Sequence, residues 1–313
     1  MKVILVGNGY FGSLYRERIM RHDKYELVGV VDTDYSKLKT LSGMTIGESY
    51  KTLANNVKHD AVIICTTPEH HTKLSLKAMK RGKHVLCMKP GMMSLTDHLK
   101  LYEASVENNV AWIIDYTQRN APEHGFIEGT ILSLGNLDSI SFSRHVVTPP
   151  KPEGIILDLL PHDVAAFNHS LWNYRDTTIS CVVDGVKATA TICDAETNKQ
   201  VAFFSASYNS TYPLKAALFR VAPYRSKIAN PRIELAWEQN QKFVEIRSQG
   251  RSIEINFRHE PDMITRTLND FVSRCKYSNS NHFVSGPIMR VLHAMQHSAN
   301  MNGAPINYED LEA

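Results

Sequence analysis

Through the first 118 residues, short apolar runs alternate with segments whose apolar positions recur at helical spacing. "KVILV" reads as a β-branched strand, and "YFGSLYRERIMRH" continues as a helix after an intervening turn. "ELVGVVD", "DAVIICTTP", "HVLCM" and "VAWIIDY" predict further strands. Between them lie the helical patterns "HTKLSLKAMKRG", with Leu74, Ala78 and Met79 on one face, and "LTDHLKLYEASVENN". Such a series implies a doubly wound parallel sheet, whose ligands bind beyond the carboxyl ends of the strands. Later strand-like stretches, "TISCVVDGVKATATIC", "VAFFSASY", "RIELAWE" and "KFVEIRSQGRSIEINF", follow one another closely, and their alternation suits a covered sheet.

A chain of 313 residues exceeds what one hydrophobic core ordinarily serves, so two domains are expected. Its 43% hydrophobic and 21% charged residues describe a soluble globular protein rather than a disordered or collagen-like one. The formal net charge is only +3, with bases and acids interspersed, so no nucleic-acid partner is expected, while an anionic small molecule stays compatible. Cys65, Cys87, Cys181, Cys193 and Cys275 are widely spaced without any C-x-x-C, which argues for a reducing compartment and against a disulfide framework or a structural metal. The first apolar run is far short of the roughly 20 residues of a membrane helix, so a cytoplasmic protein without membrane association is expected.

Candidate chemistry gathers at the predicted strand ends. Gly7, Gly9 and Gly12 form a G-x-G-x-x-G between strand and helix: the first permits a tight turn, the second lets a pyrophosphate approach the backbone, and the third allows helix and strand to pack closely. Tyr10 and Phe11 open that helix. Asp32 ends the second strand, where a carboxylate can bind both hydroxyls of an adenine ribose, although a plain turn residue is the alternative. Asp34 adds negative charge and no arginine follows directly, so NAD is favoured over NADP. Thr66, Thr67, Pro68, His71, Met88 and Lys89 complete the candidate cofactor contacts; His71 also reads as an ordinary polar loop residue, Met88 as core packing and Lys89 as an exposed loop lysine.

"GKHVLCMKP", residues 82–90, resembles the Gfo/Idh/MocA oxidoreductases, the family of glucose-fructose oxidoreductase and inositol dehydrogenase, in which the fifth strand ends in Glu-Lys-Pro. Met88 replaces that Glu. "PEHGFIEGTILSLG", "LDSISFSRHVV" and "ILDLLPHDVAAFNHSLW" resemble the family's linking helix, the first strand of its second domain and its D-x-x-x-H helix, where Leu160 stands at a frequent Gly. "MITRTLNDFVSRC" and "PIMRVLHAMQHSANMNGAPINY" resemble its closing helices and tail. The resemblance implies an α/β protein with a Rossmann domain over residues 1–118 and a substrate-binding and oligomerisation domain over residues 119–313, the latter with a mostly antiparallel open sheet. It further implies a homodimer or homotetramer acting on a sugar-like small molecule.

By the same resemblance, His162 would be the general base when an alcohol is oxidised, Lys89 would position and polarise the reacting oxygen, and Asp158 would orient or charge-stabilise them. An acceptor with a near-neutral pKa and a cation beside a developing alkoxide are what hydride removal from an alcohol requires. Residues four apart on a helix share a face, but Pro161 suits a first turn, so Asp158 also reads as a cap and Asp163 as a dipole-favoured acid. Arg144, His145 and Lys151, and the later run Arg220, Arg225, Lys227 and Arg232, read as solvated faces or as cations for a phosphorylated or nucleotide-linked substrate. Two rivals to a dehydrogenase stay open: a non-catalytic sensor, to which Met88 points, and a nicotinamide-assisted glycoside hydrolase.

Overall fold

Val3, Ile4 and Leu5 have no exposed surface in β1 (Lys2–Val6), the strand around which the first unit is built. The structure is a computed structural model that describes all residues except 42, 167–175, 224–232, 240, 259–260 and 312–313. Its contacts divide the chain into two compact units, Met1–Thr117 with Asp262–Ser285, and Gln118–Pro261 with Gly286–Ala313.

In the first unit, β1 leads into α1 (Tyr10–Met20), β2 (Glu26–Val31), a two-residue β3 (Ile46–Gly47) and α2 (Tyr50–Asn56). Then come β4 (Ala61–Ile64), α3 (His71–Met79), β5 (His84–Met88), α4 (Leu95–Glu107) and β6 (Trp112–Asp115). The strands are all parallel in the order β3-β2-β1-β4-β5-β6, which reverses direction between β1 and β4. A crevice at such a reversal is where open α/β sheets bind ligands. Four residues in β4 and the last four in β5 are buried, as continuous apolar runs demand of strands covered on both faces. The doubly wound sheet expected from the alternation is therefore present.

Chain order departs from the sequence reading at one place. The second unit, α5 (Pro122–Leu134) to β14, comprises β7 (Gly135–His145), α6 (Gly154–Asp158), α7 (Leu160–Ala166), β8 (Thr177–Asp184), β9 (Lys187–Asp194), β10 (Gln200–Ser207), β11 (Leu214–Pro223), β12 (Ile233–Glu238), β13 (Phe243–Ser248) and β14 (Arg251–Asn256). The following α8 (Met263–Cys275) returns to the first unit, where Ile264, Leu268 and Phe271 pack into the core formed by Tyr15, Ile19, Leu86 and Met88. Asp262 caps α8 by accepting the Ile264 and Thr265 N–H groups at 3.1 and 3.2 Å, and it also accepts Arg18 Nε at 2.9 Å. Below the core, Tyr15, Thr117 and Thr267 donate hydroxyls to the buried Asp115 carboxylate, whose pKa burial raises. A helix assigned by sequence order to residues 119–313 thus completes the first unit, because its apolar face fits the uncovered flank of the sheet.

α9 (His282–Asn300) and β15 (Ile306–Asn307) end the chain, and the nine-stranded sheet runs β14-β13-β12-β11-β7-β10-β9-β8-β15. All its pairings are antiparallel except β10 with β7. Arg220, read from sequence as one of a basic run, lies within β11 and pairs with Glu234 on β12 at 3.0 Å. Arg225, Lys227 and Arg232 lie outside the described residues.

Among the described residues, three of the buried histidines are strongly perturbed. In the first unit His98 sits 3.0 Å from Ser285 Oγ and stacks on His282; His71 is buried in the same unit, and His124 is buried beside Trp237 in the second. Burial pushes each pKa down to about 4, with neighbouring cations adding to the effect at His124. An unfolded histidine takes up its proton near pH 6.5, whereas these resist until about 4, so their stabilisation is full above that range and is lost on acidification. Each is expected to withdraw about 2 kcal/mol between about pH 7 and pH 5. Urea unfolding midpoints at the two pH values measure this, and His98→Phe should flatten the dependence by that amount; an unchanged slope refutes it.

Candidate active site

The glycine loop obeys three different steric demands. Gly7 has φ +94°, and a Cβ there would lie 2.6 Å from the Cys65 carbonyl carbon and oxygen. A Cβ on Gly12 would collide with the Gly7 carbonyl oxygen, because α1 begins directly against the turn. At Gly9 a Cβ would meet nothing within 4 Å. Gly9 is also the N-cap of α1, with no side-chain cap and no acid in the first turn, so the helix N-terminus keeps its N–H donors for an anion. Tyr10 is 83% exposed and Phe11 37%, which leaves both at the open mouth of the loop.

These demands separate in a test. Gly12→Ala is expected to destabilise the fold by about 1–3 kcal/mol through overpacking, whereas Gly9→Ala should keep the wild-type melting temperature and weaken dinucleotide binding about tenfold. Thermal melts and NADH fluorescence titrations read the two effects; equal behaviour of the variants would contradict the separation.

Asp32, buried at the end of β2, accepts the Asn8 N–H at 2.7 Å and the Asp34 N–H at 2.9 Å. Arg16 and the Lys37 carbonyl hold the Asn8 side chain, both at sites 2.8 and 2.7 Å away. Lys37 Nζ lies 3.6 Å from both Asp32 and Asp34, so a lysine rather than an arginine is the cation beside this carboxylate pair. Across the reversal point, His71 Nε2 is bound to the Thr66 carbonyl at 2.9 Å, and Thr67 donates to Glu69 at 2.6 Å in a turn begun by Pro68. The neutral His71 thus holds the loop in which Thr66 and Thr67 lie.

Lys89 is half-buried directly after β5, and the Lys89–Pro90 peptide is cis. Met88 departs from the expected cofactor contact. It is 6% exposed in the core with Leu86 and Ile113, since an apolar side chain on the strand face turned to α1 and α8 gains more from packing than from the crevice.

In the second unit the D-x-x-x-H segment is two helices. α6 ends at Asp158, Leu159 intervenes, and α7 starts at Leu160 with Pro161 in its first turn. Asp158 is 2% exposed; Lys151 Nζ reaches one of its oxygens at 2.9 Å and the Tyr208 hydroxyl the other at 3.0 Å. Burial, then the Asp158 charge, drives the Tyr208 pKa upward, so that hydroxyl stays a donor. His162 is half-buried in the first turn of α7, four residues after Asp158. Asp163, read from sequence as a dipole-favoured acid, does lie in the first turn of α7; it is also buried and receives two hydrogen bonds from Arg144, whose side chain donates to Gln118 as well. Arg144 is therefore no solvated cation: its guanidinium is buried because a forked donor matches the carboxylate. His145 Nδ1 lies 2.7 Å from Ser207 Oγ at the same strand ends. Tyr208 had no signal in the sequence beyond following an apolar strand.

Residues 1–116 match the family described as oxidoreductase family, NAD-binding Rossmann fold. Through these residues the chain is similar to the Gfo/Idh/MocA oxidoreductases. Among relatives, a 1,5-anhydro-D-fructose reductase of Ensifer adhaerens is 33% identical over 128 residues, covering 37% of this chain and 38% of that protein. A myo-inositol 2-dehydrogenase of Thermotoga maritima is 23% identical over 182 residues, 52% of each protein. The aligned part thus spans between about a third and a half of these curated relatives. A 3-ketoreductase from Actinomadura kijaniata, solved with NADP and TDP-benzene, superposes with a TM-score of 0.78 at 15% identity, covering 95% of this chain and 97% of the other, and so shares the fold. The matched residues are those of an NAD(P)-binding Rossmann unit. No helix among the described residues is long and apolar enough to cross a membrane.

Proposed function

We propose that this protein is an NAD-dependent dehydrogenase that interconverts a hydroxyl and a ketone on a sugar, amino sugar or cyclitol. The observation that carries the proposal is the open Gly9 position at an uncapped helix N-terminus, with Asp32 held ready at the next strand end. Gly7, Gly9 and the α1 N-terminus would hold the pyrophosphate, and Asp32 the adenine ribose hydroxyls. The Asp32 carboxylate disfavours a 2′-phosphate by repulsion, a preference that Lys37 moderates and that supports NAD over NADP. When bound, the nicotinamide supplies the hydride acceptor or donor.

His162 would take the proton leaving the substrate hydroxyl, and Lys89 would stabilise the negative charge that grows on its oxygen. Asp158, fixed by Lys151 and Tyr208, would orient the site without moving a proton. The named dehydrogenases and reductases among the relatives support this reading over a sensor or a hydrolase. An uncharged row across the open face of the second sheet, Thr191, Phe203, Ser141, Leu218 and Ala236, supports the homo-oligomer, which sedimentation of the purified chain decides.

Turnover tests the function. The chain with NAD or NADP, mixed with a panel of polyols, sugars and cyclitols, should change nicotinamide absorbance with at least one substrate and more efficiently with NAD. Tight dinucleotide binding with no redox change across the panel overturns the dehydrogenase reading.

A further inference from the structure

Three basic side chains are associated with the acidic pair of the second unit, and two of them already have their anions. Arg144 is bound by Asp163, and Lys151 by Asp158. Lys215, the first interior residue of β11, stands opposite Arg144 in the antiparallel register with β7, and cross-strand partners project to the same face of a sheet. It forms no hydrogen bond through its ammonium and no ion pair among the described residues, yet it is half-buried.

From this placement we infer that Lys215 anchors an anionic group, a carboxylate or a phosphate, carried by the hydroxylated substrate. The inference rests on the dehydrogenase reading for treating the Asp158 and His162 region as the substrate site. Here burial, then the charge of Arg144, lowers the Lys215 pKa, while the fields of Asp163 and Asp158 offset this only in part. Arg144 already donates to both oxygens of Asp163. The ammonium is thus only partly withdrawn from water and has no counter-ion at ion-pair distance among the described residues, so it stays within reach of an arriving anion that supplies one. A compact, rotatable point charge accepts either a carboxylate or a phosphate, whereas a guanidinium fork would select by shape. His145 and Ser207, at the neighbouring strand ends, add uncharged hydrogen-bonding groups suited to hydroxyls.

Isothermal titration of the full chain, saturated with NADH, tests the inference with D-glucose, D-glucuronate and D-glucose 6-phosphate as probes. At least one charged probe should bind about tenfold or more tightly than glucose, as one charge-assisted hydrogen bond allows. Lys215→Met should reduce that ratio about tenfold, and Lys215→Arg should restore most of it; the two charged probes distinguish carboxylate from phosphate. Equal affinities for charged and neutral probes in the wild type, or a ratio that Lys215→Met leaves intact, overturns the inference. Circular dichroism confirms that the variant is folded. Charge-selective binding that depends on Lys215 without any hydride transfer would sink the dehydrogenase reading alone, whereas turnover of neutral and charged substrates alike, unaffected in ratio by Lys215→Met, would sink the anchor alone.

Discussion

Replacing His162 with alanine is expected to lower kcat by about 10²–10⁴-fold, the usual contribution of a positioned general base. The proton of an alcohol is held far too tightly to leave on its own at neutral pH, so loss of the acceptor must raise the barrier to oxidation. By the same reasoning the reverse reaction loses its proton donor. Lys89→Met removes the cation that meets the developing alkoxide and is expected to cost about 10²–10³-fold, comparable to loss of one oxyanion donor. The two losses should fall on kcat more than on KM, because both interactions strengthen as charge develops. Dinucleotide affinity of His162→Ala, measured by NADH fluorescence, should match the wild type. A variant that keeps more than a third of wild-type kcat would remove His162 from the chemistry and leave it a structural side chain of α7.

The second large effect is structural and concerns Asp163. Asp163→Asn is expected to destabilise the second unit by about 3 kcal/mol or more, because it strands the Arg144 guanidinium in a buried position. The asparagine keeps the shape and one acceptor oxygen but loses the charge and half of the forked pairing. Activity should fall as well, since Asp163 is adjacent to His162 and anchors the start of α7 to β7. Replacing both partners, Arg144→Met with Asp163→Leu, should recover part of the stability by removing the desolvated charge altogether. Chemical denaturation of the wild type and the two variants measures both effects. If the single variant loses less than about 1 kcal/mol, the pair is more hydrated than its burial indicates.

The elements of the first unit were legible because their signals are local. A run such as "AVII" is a covered strand wherever it occurs in a doubly wound sheet, and the three glycines announce a turn whose steric needs span six residues. Lys89 and Asp32 were legible for a related reason: the end of a parallel strand is the edge at which ligands arrive. β3, at two residues, was too short to show a period, and β11 was hidden because its Arg220 looked like part of a basic run. Of the two readings of Met88, cofactor contact and core packing, the structure shows the packing.

The sequence by itself determined the two kinds of sheet, the phosphate turn and the candidate pair Asp158 and His162, all of which follow from short-range spacing and side-chain chemistry. Tertiary structure alone decided that α8 returns to the first unit, that Tyr208 reaches Asp158 across 50 residues, and that Arg144 is spent on Asp163 while Lys215 is not. The reason is that a buried charge must find its partner wherever the fold brings one, and no local pattern records which segment that will be.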